Sequence, residues 1–164
     1  LLILIGENFP LWMLLLAFPV VVYLALYNYL PEREDRRPNK DQPKMTDAKT
    51  QIDETVKAND VVLYMKGTKD APQCGFSSRV AGVLNFMGVD FADVNVLADE
   101  DIRNGIKEYS DWPTIPQLYV KGEFVGGCDI ITEMTLSGEL DTLFEENSVT
   151  YSKDAADKIR EANA

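Results

Sequence analysis

Hydrophobic and polar positions divide the chain into two unlike parts. Residues 11–30, LWMLLLAFPVVVYLALYNYL, run twenty positions without a charge. At about 1.5 Å per residue such a run matches the roughly 30 Å hydrocarbon core of a bilayer, and Pro19 is tolerated inside it. The following PEREDRRPNKDQPK is polar and proline-rich and reads as a linker. Its Arg33, Arg36, Arg37, Lys40 and Lys44 would hold this flank in the cytoplasm. No basic segment precedes the apolar run and no small-residue cleavage site follows it, which argues against a secretory signal. Met45 then opens MTDAKTQIDETV, which reads as the start of a soluble domain. Residues 1–44 are therefore read in two ways: as a membrane anchor with its linker, or as upstream sequence joined by a misplaced start or left by truncation.

From Met45 the pattern alternates between two periods. Ile52 and Val56 stand at helical spacing among the polar residues of 47–59. VVLYM, 61–65, is a buried-strand run. SRVAGVLNFMG, 78–88, is apolar at helical spacing and ends on a glycine. DFADVNV, 90–96, alternates as a strand does, and the acidic start of DEDIRNGIKEYS, 99–110, suits a helix N-terminus. Residues 117–127 read as a hairpin turning at Lys121-Gly122. One or two helices occupy 129–146, and the last fifteen or so residues are expected to be a loosely packed polar tail. The order α-β-α-β-α-β-β-α makes an α/β domain whose first two strands, joined by a helical crossover, lie parallel.

Charge and composition narrow the chemistry. The net charge is −11. Residues 1–44 hold five basic and five acidic side chains, so the whole excess falls on 45–164. Such a surface suits nucleic acid poorly. The absence of histidine removes Cys–His pairs, Ser–His–Asp triads and nearly every zinc site. Two cysteines make no disulfide framework, and the chain reads as intracellular.

One of those cysteines, Cys74, follows the first strand and opens the next helix. Unpaired amides and the positive end of the helix favour its thiolate, and Lys66 adds a cation if the loop folds back. The competing reading is an inert buried thiol. Ser77 stands where a Cys-x-x-Cys pair would place its second sulfur. In WPTIPQLYV, Pro116 precedes a strand, where a cis bond can build a tight turn. In GGCD, Gly126 and Gly127 precede a helix N-cap expected at Asp129, where free amides could hold a carboxylate; a plain turn reads equally well. Arg103 and Lys107 share one helix face. Their bland reading is a solvated pair neutralised by Asp101 and Glu108.

KGTKDAPQCGFS and WPTIPQLYV with GEFVGGCDI, in this order and spacing, strongly resemble the monothiol glutaredoxins of the CGFS type, in their single-domain bacterial or mitochondrial-type branch. The resemblance covers about Thr46 to Glu146. It implies a thioredoxin-like (glutaredoxin) fold, a central four-stranded mixed sheet flanked by helices, in a domain over 45–150. Residues 1–44 would lie outside that domain and 151–164 would be a polar tail. It also implies that Cys74 and the thiol of a bound glutathione ligate a 2Fe–2S cluster, two chains and two glutathiones supplying four sulfurs. Glutathione would be held by Lys66, Arg103, Lys107, the Ile115 backbone and the Gly127–Cys128–Asp129 segment. Phe76 and Trp112 would shape the surroundings of the cluster. Cys128 would line the pocket through its backbone, and whether it pairs with Cys74 on oxidation stays open.

The implied function is glutathione-dependent binding and transfer of the cluster in iron–sulfur protein biogenesis. The chain would be a homodimer when loaded, with apo iron–sulfur proteins as acceptors, and cytoplasmic unless residues 11–30 anchor it to a membrane. Two alternatives remain open at this point. One is a thiol–disulfide oxidoreductase removing glutathione from mixed disulfides, an activity the resemblance implies to be weak. The other is an iron-sensing partner of a BolA-like protein.

Overall fold

Val61–Met65 forms β1, and all five of its residues are buried. A strand covered on both faces needs apolar side chains on both, which the unbroken run VVLYM supplies. The computed structural model describes residues 45–163; the apolar run 11–30 and its linker lie outside the described residues. Within them, α1 (Met45–Ala58), β1, α2 (Gly75–Phe86), β2 (Ala92–Asn95), α3 (Glu100–Ser110), β3 (Gln117–Val120), β4 (Glu123–Gly126), α4 (Cys128–Ser137), α5 (Glu139–Glu146) and α6 (Lys153–Asn163) follow in order. The sheet runs β2-β1-β3-β4. β1 pairs parallel with β2 and antiparallel with β3, and β3 pairs antiparallel with β4. This is the expected four-stranded mixed sheet of a thioredoxin-like fold.

The two-residue period of β1 sorts the core. Val61, Leu63 and Met65 pack with Leu84 of α2, Ile131 of α4, Phe144 of α5 and Ala156 of α6. Val62 and Tyr64 face the other way, onto Ile52 and Val56 of α1 and Ile102 and Ile106 of α3. Helices therefore cover both faces of the sheet, and the loops leading to Cys74 and to α3 leave the ends of β1 and β2. The hairpin turns at Lys121 and Gly122, both at positive φ (51° and 87°), the geometry that matches strand twist.

Two expectations are corrected. The C-terminal end is a packed helix: in α6, Ala156 is completely buried and Ile159 packs against the core. The polar sequence hides this because α6 buries only a narrow stripe. The cap of α4 is Gly127, in extended conformation, and Asp129 lies inside the first turn. Among the described residues, no helix is long and apolar enough to cross a membrane.

Candidate functional site

Cys74 is the N-cap residue of α2, with extended backbone (φ −150°, ψ 134°). Its carbonyl accepts the Ser78 N–H at 2.8 Å, while the side chain makes no capping bond of its own. The amides of the first turn nevertheless lie close enough to favour a charged sulfur. The Ser77 N–H chiefly, with the Phe76 N–H, the Lys66 charge and the Ser77 hydroxyl, holds the thiol below its ordinary pKa, against a desolvation that pushes it up. Cys74 is half-buried, and Phe76 beside it is 59% exposed. Cys74 is therefore not the buried thiol of the competing reading, and its surroundings favour the thiolate.

The loop between β1 and Cys74 is closed on itself. Gln73 N–H donates to the Lys66 carbonyl at 2.9 Å, and Thr68 and Ala71 exchange backbone bonds at 3.2 and 3.1 Å. Gly67, at φ +87°, permits this. A Cβ there would stand 2.4 Å from the Ala71 carbonyl oxygen and 2.6 Å from the Gln73 nitrogen. The Lys66 N–H donates to Ser77 Oγ at 3.1 Å, so Ser77, fully buried, ties the end of β1 to the first turn of α2.

The opposite wall comes from α3 and the loop after it. Asp99 caps α3 by accepting from Asp101 N–H and Ile102 N–H at 2.9 and 3.1 Å. Arg103 and Lys107 follow on the same face. Among the described residues, neither they nor Lys66 enters an ion pair, and Glu108 pairs with Lys49 instead (3.1 Å). The neutralised pair expected from Asp101 and Glu108 is therefore not formed. The segment 112–116 ends in a cis Ile115–Pro116 bond. It is held from below by Gln117, a completely buried amide whose Nε2 donates to the carbonyls of Trp112 (3.0 Å) and Thr114 (3.2 Å). Its Oε1 accepts the Tyr119 hydroxyl at 3.0 Å. Sequence reading missed Gln117; the signal was a lone polar residue opening an apolar strand.

These walls enclose a cavity of about 390 Å³. Lys66, Cys74, Phe76, Arg103, Lys107, Trp112, Ile115, Gly127, Cys128 and Asp129, every site residue read from sequence, line it. Pro113, Thr114, Pro116 and Ile130 line it as well, inside the motifs already quoted. The volume is that of a small-molecule site. A Cβ at Gly127 would crowd the Trp112 ring at 3.2 Å from Nε1 and touch the Pro116 carbonyl oxygen at 3.5 Å. Trp112 Nε1 is buried with no hydrogen-bond partner among the described residues. Three unpaired cations, one activated thiol and the helix start bearing Asp129 fit a small ligand with separated carboxylates and an ammonium. No cluster of three or more metal-ligating side chains exists among the described residues, and of the two thiols at the cavity Cys74 is the more accessible.

Comparison with known proteins agrees with this geometry. The glutaredoxin family model matches residues 61–125. A monothiol glutaredoxin (ycf64-like) of Synechocystis is 57% identical over 99 residues, covering 60% of this chain and 92% of that protein. The chain belongs to the monothiol glutaredoxins. Another member, the mitochondrial monothiol glutaredoxin-5 of Saccharomyces cerevisiae, is 54% identical over 104 residues, 62% of this chain and 69% of the yeast protein. The solution structure of reduced poplar apo GrxS14 superposes with a TM-score of 0.56 at 53% identity, covering 61% of this chain and 92% of that one. In this monothiol glutaredoxin both cysteines line the cavity, Cys74 half-buried and Cys128 buried.

Proposed function

We propose that this monothiol glutaredoxin binds a 2Fe–2S cluster together with glutathione and passes it to apo iron–sulfur proteins. The observation that carries the reading is one activated, accessible thiol facing a wall of unpaired cations, with no second thiol at position 77. Lys66, Arg103 and Lys107 suit the glycyl carboxylate of glutathione. The free amides at the start of α4 suit its γ-glutamyl carboxylate, and the Asp129 carboxylate suits its ammonium. Glutathione supplies a second thiolate beside Cys74 when bound. The cluster is cargo. One chain contributes one sulfur, so four sulfurs call for two chains and two glutathiones, and the loaded form is a homodimer. Ligands held this loosely exchange readily, which suits transfer. The proposed location is the cytoplasm.

A second reading, glutathione-dependent reduction of mixed disulfides, is favoured by the lowered pKa of Cys74, which makes it both nucleophile and leaving group. Anaerobic reconstitution with iron, sulfide and glutathione distinguishes the two. Under the carrier reading, omitting glutathione prevents cluster binding and loading converts monomer to dimer. Cys74→Ser loses iron and acid-labile sulfide, while Cys128→Ser keeps most of both. Rapid disulfide reduction with no transfer to an apo-ferredoxin would overturn the carrier reading.

A further inference from the structure

Lys66 has its backbone fixed from three directions. Its N–H donates to Ser77 Oγ, its carbonyl accepts from Gln73, and the residue before it, Met65, accepts the Val96 N–H at 3.0 Å. The residue after it, Gly67, donates its N–H to the side-chain oxygen of Asn95 at 2.9 Å. The same Asn95 oxygen accepts the Leu97 N–H at 3.0 Å. Asn95 ends β2 in parallel register with Met65. One side-chain carbonyl therefore joins the segments that follow β1 and β2. The first carries Lys66 and then Cys74. The second runs from Leu97 through the cap Asp99 into α3, which carries Arg103 and Lys107.

We infer that Asn95 is a positioning residue for the cationic wall: its side-chain carbonyl fixes Lys66 relative to the start of α3, and so sets the spacing at which the three cations meet an anionic ligand. Backbone bonds between the two segments stop at Val96; past it the Gly67–Asn95 bond carries the coupling towards α3, beside a bond from the Lys69 N–H back to Asp93 Oδ2 at 3.0 Å within β2. A charged ligand bridged by two walls is sensitive to their separation, because charge-assisted hydrogen bonds weaken steeply with distance and angle. Asn95 itself is only partly buried and does not line the cavity. The inference rests on the glutathione reading above.

The test is glutathione binding to the full chain by calorimetry, with Asn95→Ala and Asn95→Asp beside the unaltered protein. Asn95→Ala is expected to weaken binding about tenfold while far-UV circular dichroism stays unchanged. Asn95→Asp keeps the acceptor and is expected to restore affinity to within about threefold. A folded Asn95→Ala protein that binds as tightly as the unaltered chain would overturn the inference alone. An unaltered chain that binds no glutathione would overturn the proposed function and the inference with it. Hydrogen exchange in the unaltered protein gives a check that needs no variant. Leu97 is 43% exposed, yet its amide should exchange slowly because Asn95 holds it; rapid exchange there would refute the inference.

Discussion

Arg160 Nη2 stands 2.9 Å from Asp141 Oδ2, which joins the last helix to α5 across the surface of the core. Asp141 is nearly buried, and its other oxygen has no hydrogen-bond partner among the described residues. Arg160 also meets Asp157 at 2.6 Å, and both carboxylates raise its already high pKa. Removing the arginine would leave Asp141 buried without its counter-charge. Arg160→Ala is expected to cost about 1–3 kcal/mol of stability, a partly screened version of a broken buried pair. Urea unfolding measures it, and Arg160→Lys should fall between the two.

Cys74 should alkylate with an apparent pKa below that of an ordinary cysteine. Its folded-state value is depressed, so the thiolate persists to lower pH than in an ordinary cysteine. Lys66→Ala removes a cation that favours the thiolate, so the midpoint should move upward. Iodoacetamide rates across pH, on Cys128→Ser protein to isolate one thiol, report the midpoint directly.

Gly67→Ala should disrupt the loop severely. The new Cβ meets two backbone atoms at 2.4 and 2.6 Å, and φ is +87°, so no side-chain adjustment relieves it. A loss of about 2–4 kcal/mol is expected from the combined clash and left-handed backbone. Thermal melting gives the stability change, and the alkylation midpoint of Cys74 shows whether the first turn of α2 moved with the loop.

Glutathione binding should weaken with added salt and with Arg103→Ala. Unpaired cations on a chain of net charge −11 act locally, and screening lengths shrink from about 8 Å at physiological salt to about 3 Å at 1 M. Calorimetry at the two salt levels should show a clear fall for the unaltered chain and a shallower one for Arg103→Ala, whose affinity starts about tenfold lower.

Much of this architecture was legible because local pattern and tertiary role coincide. VVLYM reads as a buried strand, and the acidic start of DEDIRNGIKEYS marks the N-terminus of α3, where Asp99 proves to be the cap. The site residues were legible as motifs. What stayed hidden depends on register or on sparse burial. Asn95 looks like one polar residue in an alternating strand, and its meaning appears only when β2 is set parallel to Met65. Helix α6 buries Ala156 and little else fully, so its polarity concealed its packing. Asp129 misled because an acidic residue after two glycines suits a cap equally with a first-turn position, where it also favours the helix dipole.

Ser77 gives the single-thiol motif a structural task beside its chemical one. Its buried oxygen terminates β1 by taking the Lys66 N–H, a task that sulfur, a weak acceptor, performs poorly. A codon change to cysteine would therefore do more than add a second redox centre. It would loosen the strand end from which the lysine projects, and with it one wall of the cavity.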